Sequence, residues 1–228
     1  MAPPPAIFMA VAIVGVMTAP AGAQNLMLSA AVQRDVQRFP EADVPTRLDG
    51  SAAGWMVGAD VRLRNHLALA VEWSDAGTIH DARTMALDID GRTVVITSTF
   101  RHDTRTAAAL GGYSHMLSSR VRVAYLGGVC FTHVGREFAS NAPGLVLVGP
   151  SDRSASALST LVDRSWGMTG GVDAHVRIKR RLHVVAGLRA QRITLHPATQ
   201  SPRRGGPGLP LDVSGWSVRT FVGAGWGL

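Results

Sequence analysis

The side chains that could do chemistry in this chain are eight histidines (His66, His80, His102, His115, His133, His175, His183 and His196), one cysteine, and carboxylates and guanidinium groups set at alternate positions within apolar stretches. Read at period two, Asp60, Glu72 and Asp173 fall on the same kind of face as Arg62, Arg122, Arg177, Arg189, Arg219 and His175. If that face is enclosed, its charges must pair or stay hydrated. The expectation is a salt-bridge network; a constricted passage for small solutes is the alternative. Nucleophilic catalysis would need a hydroxyl or thiol beside a histidine and an orienting acid. Cys130 lies inside an apolar run and reads as a small buried filler. His133, near Arg136 and Glu137, is the nearest polar cluster and reads as a strand-end residue. His175 and His183 could face the same way near one turn, but a third metal ligand is missing. The expectation is therefore no catalytic residue, no metal and no cofactor.

The elements that would position these groups are strands. The last stretch, Gly215 to Leu228, shows it most clearly. One face is Trp216, Val218, Thr220, Val222, Ala224, Trp226 and Leu228, and the other is Ser217, Arg219, Phe221, Gly223, Gly225 and Gly227. At ~3.3 Å per residue and a tilt near 40°, the two indoles are separated by roughly 25 Å of height, the thickness of a membrane's apolar band.

Seven earlier segments alternate in the same way. They are Leu26 to Arg38, Ala53 to Leu63, a run from Leu67, a run from Arg105 to Met116, a run from Val121, a run from Trp166 to Ile178, and a run from Leu182 to Gln191. The fourth has no clear faces, because Ala107 to Gly112 is small on both sides. Asp90-Gly91, between MALDI and RTVVITSTF, is a hairpin signal. It predicts that strands three and four continue past the membrane as a protruding hairpin. The connections alternate: the odd ones are long, including Gly135 to Ser165, and the even ones are only a few residues at Arg64-Asn65-His66, Leu117 to Ser119 and Lys179 to Arg181. Short turns on one side and long loops on the other are the habit of outer-membrane barrels. The small residues mixed into the polar face suit a narrow eight-stranded interior. Trp55, Trp73, Trp166 and Trp216 lie at the loop-side ends of their strands and Trp226 near the turn side, as two aromatic girdles would require.

Residues 1–23 read as a cleaved signal peptide, with the apolar run Ala6 to Met17 and the small-x-small pattern Ala21-Gly22-Ala23 before Gln24. Residues 24–228 then form one barrel domain. No later stretch is apolar for ~18 residues, which excludes membrane-spanning helices. A mean hydropathy of +0.13 with 25 glycines and 17% charged residues fits alternating strands. The net charge is +7, and Lys179 is the only lysine among 23 basic residues. The arginines are scattered singly, with no basic helix or aromatic-interleaved patch, so no nucleic acid is expected. Arginine does suit the phosphates of anionic lipid headgroups.

On these patterns, on LGGYSHML (Leu110 to Leu117) and on the closing strand FVGAGWGL, the mature chain from Leu26 to Leu228 resembles the eight-stranded outer-membrane β-barrel family, the transmembrane domain of outer-membrane protein A among them. The resemblance implies an all-β, antiparallel, up-and-down transmembrane barrel in the outer membrane of a Gram-negative bacterium, with short periplasmic turns and long extracellular loops. It implies contact with outer-membrane lipid and lipopolysaccharide, and with the barrel-assembly machinery. That machinery reads a terminal Phe in the family, where this chain has Leu228. Barrels of this kind include lipid A deacylases with a His-x-Ser pattern, and no histidine here is followed by Ser two positions later. The role expected is structural or surface-interacting, with the lumen plugged by the inward charges and a loop ligand unknown. A porin-like small-solute pore is the second reading and a lipid A-modifying enzyme the third.

Overall fold

Alternation is what allows this chain to close on itself. Each segment offers one apolar and one polar or small face, so a sheet rolled into a cylinder keeps one kind outside and one inside. The computed structural model describes residues 25–38, 50–63, 66–89, 92–140, 159–195 and 213–228. It contains eight strands: β1 (Asn25–Arg38), β2 (Gly50–Arg62), β3 (Leu67–Ile89), β4 (Arg92–Met116), β5 (Val121–Ser140), β6 (Ser159–Arg177), β7 (Leu182–Leu195) and β8 (Val213–Gly227). Each pairs antiparallel with the next, and β8 returns to β1. Closure leaves the barrel wall without an unpaired edge. The seam is pinned at its end by Leu228 N–H donating to the Leu26 carbonyl at 2.9 Å. The proposed leader, residues 1–23, and the connections 39–49, 141–158 and 196–212 lie outside the described residues.

The even-numbered connections are tight, as at Leu117 N–H to the Val121 carbonyl and Ile178 N–H to the Leu182 carbonyl, both 2.9 Å. On the other side the strands overshoot. β3 and β4 stay in register out to Ile89 and Arg92, so only Asp90 and Gly91 separate them; those two lie outside the described residues. The hairpin bends once, at a bulge between Asp75 and Thr78. There Gly77 takes a φ of 77° and its N–H caps the Asp75 carboxylate at 2.9 Å. β5 and β6 also run further than their sequences suggest, to Ser140 and from Ser159, which turns much of the expected loop Gly135 to Ser165 into paired strand. Above a membrane neither face meets lipid, so backbone pairing continues there without an apolar alternation to announce it.

The barrel is apolar outside and polar inside. Met168 is 77% exposed, Trp166 63% and Val222 52%, while Arg189, Ser217, Gln191 and Asp35 are buried. Val61 is the exception among the outward positions, buried beside its register partners Leu26 and Leu69. The undecided fourth strand resolves with Thr104, Thr106, Ala108, Leu110 and Ser114 inward and Tyr113 outward.

Followed once around the barrel, the register passes from Trp166 to Phe131, Ala107, Trp73, Val57, Ala30, Ala224 and Val184, and re-enters β6 at Val176. That stagger, Trp166 to Val176, is ten residues. Spread over eight strands, it tilts a perpendicular row by about one and a quarter residues per strand. The stagger sets the relative heights of the tryptophans. Trp166 and Trp216 share one height on the loop side, and Trp226 marks the turn side. Trp73 and Trp55 lie about three to four residues lower. Counting from strand ends misjudges height when the strands are tilted and end unevenly.

Candidate functional site

The inward faces of facing strands bring the charges together in layers. Arg189 on β7 is the centre, with its side chain fully buried. Its Nη1 and Nη2 donate to Asp173 Oδ1 and Oδ2 at 2.5 and 2.8 Å. Its Nε donates to Glu72 Oε2 at 3.2 Å, and Nη2 also donates to Glu72 Oε1. Asp173 lies on the adjacent strand β6, whereas Glu72 is on β3, across the lumen. One guanidinium thus presents two forked edges to two carboxylates, the geometry for which arginine is suited and lysine is not. Phe221 packs beneath it, with Arg189 Cζ 5.3 Å from the ring centroid. Gly187 makes room for this group. It stands in register between Asp173 and Phe221, and a Cβ there would come within 2.5 Å of Asp173 Oδ1.

Arg219 occupies the next layer toward the loops. Its Nη2 donates to Gln191 Oε1 at 3.0 Å, and Nη1 donates to Ser74 Oγ on β3, again across the lumen. Its Nε, together with Gln33 Oε1 and Thr169 Oγ1, is buried without a hydrogen-bond partner among the described residues. Above Arg219, Asp35 accepts hydrogen bonds from Ser217 Oγ at 2.5 Å and Gln37 Nε2 at 3.2 Å. Gln37 crosses from β1 to β4, donating to Thr104 Oγ1 at 3.1 Å and lying 3.1 Å from His102 Nε2. Ile79, in register with His102, and Val134 and Ile193 are apolar residues buried among these polar groups.

Toward the turns, Arg122 on β5 donates to Asp60 Oδ1 on β2 at 2.8 Å. The same Nη2 lies 3.1 Å from His175 Nδ1. A guanidinium carries only donors, so the imidazole nitrogen facing it accepts. Two apolar clusters complete the filling: Ala68, Ala70, Ala108, Leu110, Ala124, Leu126 and Cys130 on one wall, and Met27, Ala31, Met56, Val185 and Phe221 near the other.

Of the nine charged or histidine residues assigned to the interior from sequence, Asp60, Glu72, Arg122, Asp173, His175, Arg189 and Arg219 stand in these layers. Arg177 does not: it is exposed where β6 ends, and its Nη2 donates to the Ser119 carbonyl at 2.7 Å. Arg62 ends β2, half-buried, outside the contacts just described. The expectation of five guanidinium groups against three carboxylates becomes three, Arg122, Arg189 and Arg219, against four, because Asp35 joins the set. Asp35 and Gln37 were missed although period two, continued past Gln33 on β1, points to them. His102 and Thr104 were missed because they lay in what reads as a connection. Cys130 is buried at 1% exposure. Among the described residues no group of three or more His, Cys, Asp or Glu could hold a metal ion.

No protein-family model matches the chain, and no curated protein does. Solved structures do. A major outer membrane protein from Thermus thermophilus aligns at 13% identity over 89% of this chain and 99% of that one, with a TM-score of 0.50. OprG from Pseudomonas aeruginosa aligns at 10% identity over 91% and 97%, with a TM-score of 0.47. The protease OmpT from Escherichia coli aligns at 8% identity over 90% and 97%, with a TM-score of 0.37. At such identities the likeness is one of fold. Closed β1 to β8, apolar outside and polar within, the chain has the fold of the eight-stranded outer-membrane β-barrels.

Proposed function

We propose that this chain is a non-enzymatic outer-membrane barrel whose filled lumen makes it a rigid scaffold for the strands and loops it holds outside the cell. In this reading residues 1–23 are a cleaved export signal and residues 24–228 the barrel, inserted by the barrel-assembly machinery. The observation that carries it is the cross-lumen bonding of Arg189 to Glu72, Arg219 to Ser74, Gln37 to Thr104 and Arg122 to Asp60. Each ties strands on opposite sides of a cylinder only wide enough for side chains to fill. A surface rich in exposed apolar side chains supports a lipid environment, since water would disfavour so much apolar surface. A structural or surface-interaction role follows: what is free to engage partners is the exterior and the extracellular hairpins.

Two measurements test this. The detergent-folded protein should show a heat-modifiable gel shift, and in planar bilayers it should give no steady conductance of porin size. A stable open conductance would replace the plug with a pore. Altered lipid A in cells that express the gene, read by mass spectrometry, would replace the scaffold with an enzyme.

A further inference from the structure

The outward charges are distributed unevenly around the barrel. On β6, β7, β8 and β1, which are consecutive across the seam, every outward charged side chain among the described residues is an arginine: Arg164, Arg192, Arg34 and Arg38. All four are exposed, and all lie within roughly two residues of the height of Trp166 and Trp216, given the barrel's stagger. On β3 and β4 the outward arginine at this height, Arg105, is instead paired with Asp75 at 3.2 Å. Arg34 donates to Ser51 Oγ at 3.4 Å, whereas Arg38, Arg164 and Arg192 have no protein partner among the described residues.

Trp216 sits between two of these arginines. It is in register with Arg38 on one side and Arg192 on the other. Strands lie ~4.8 Å apart, so the two arginine backbones are about 10 Å apart with an indole between them. Below the trio the surface is apolar, with Val36, Val218, Val32 and Val222 exposed. A ligand that fits must carry more than one anionic group on a ring-like head and have apolar chains that descend along the wall.

We propose that the outward face of β6, β7, β8 and β1 binds the phosphorylated glycolipid of the outer leaflet, lipopolysaccharide. Arg38 and Arg192 take its phosphates, Trp216 lies against a sugar ring, and the acyl chains run over Val36, Val218 and Val222. Guanidinium binds phosphate through paired donors. This rests on the outer-membrane reading above. A singly charged phospholipid would satisfy one arginine and leave the other unmatched.

The test titrates the full, detergent-folded protein with bisphosphoryl lipid A, monophosphoryl lipid A and phosphatidylglycerol, counting bound lipid by native mass spectrometry. Affinity should fall in that order. The pair Arg38→Gln and Arg192→Gln should weaken bisphosphoryl lipid A binding by about a hundredfold, since each charged hydrogen-bonding site removed is worth about tenfold. Arg105→Gln, on the opposite wall, should leave it unchanged. Equal affinity for phosphatidylglycerol and bisphosphoryl lipid A, no loss in the double variant, or the same loss in Arg105→Gln would each overturn the proposal. A heat-modifiable gel shift is scored on every sample. A shifted protein without phosphate preference defeats the lipid site alone, whereas a wild type that never shifts defeats the barrel reading as well.

Discussion

Arg189 on β7 and Glu72 on β3 meet across the width of the barrel, joined by two hydrogen bonds while Asp173 holds the other edge of the same guanidinium. The three form a closed unit with one cation and two anions, and its stability depends on all three being present. Arg189→Met should cost ~3–5 kcal/mol, because it leaves two buried carboxylates facing each other without a cation. Adding Glu72→Gln and Asp173→Asn should recover most of that loss, since a neutral interior no longer needs the partner. Urea titrations of refolding in lipid vesicles give both values. Additive losses through the series would show that the three residues do not act together.

Gly187 gives a second handle on the same group. It faces Asp173 and Phe221 in register, and a Cβ there would press on Phe221 Cζ, on Asp173 Oδ1 and on the Val172 carbonyl. Gly187→Val should therefore destabilise the barrel by about 1–3 kcal/mol through overpacking. Combined with Asp173→Ala, which removes one of the three groups in its way and leaves Phe221 Cζ and the Val172 carbonyl, the valine should recover part of its cost. A valine that costs the same in both backgrounds would mean that the carboxylate is not what it meets.

Most of the barrel wall was legible because lipid imposes the alternation directly. Trp216 to Leu228 reads outward and inward residue by residue, and the faces of β5 and β7 do likewise. Legibility failed where that pressure is absent. β4 between Ala107 and Gly112 is small on both sides, so its direction comes from its neighbours in the sheet. The strand beyond Gly135 on β5 has no lipid to face and so no pattern. Within the interior, period two finds which residues point inward but not which ones meet. Arg177 and Arg189 look alike in sequence, yet only Arg189 reaches Asp173, because Arg177 is the last residue of β6, at the turn-side rim, where its guanidinium meets the Ser119 carbonyl instead. Height around the wall is equally hidden, since the ten-residue stagger exists only in the register.

The long β3–β4 hairpin predicts the orientation. Arg92 is the first residue of β4, while Arg120 and Lys179 lie on tight turns at the other end. Trypsin added to intact cells should cut within the β3–β4 hairpin, after Arg92, and spare the turns. Cleavage at Arg120 or Lys179 with Arg92 intact would invert the barrel in the membrane.

The lipid face can be tested by depth. Val222 is exposed on the outer surface of β8, midway between Trp216 and Trp226, and Val218 lies close to the loop-side girdle. An outward arginine costs roughly 2–4 kcal/mol at the midplane and about 0–1 near the interface. Val222→Arg should thus destabilise far more than Val218→Arg when unfolding is titrated in vesicles. The inward neighbour Gly223 is a poor neutral control, although its small size and lumen-facing position suggest one. A Cβ there would run into the Ala30 carbonyl and lie 2.5 Å from Ala31 Cα, so Gly223→Ala is itself expected to be destabilising. Val222→Ile, which keeps an apolar surface in lipid, is the proper control and should be nearly silent. Equal costs for arginine at 218 and 222 would mean that this face does not cross a hydrocarbon layer, and the membrane-spanning assignment of β8 would fall with it.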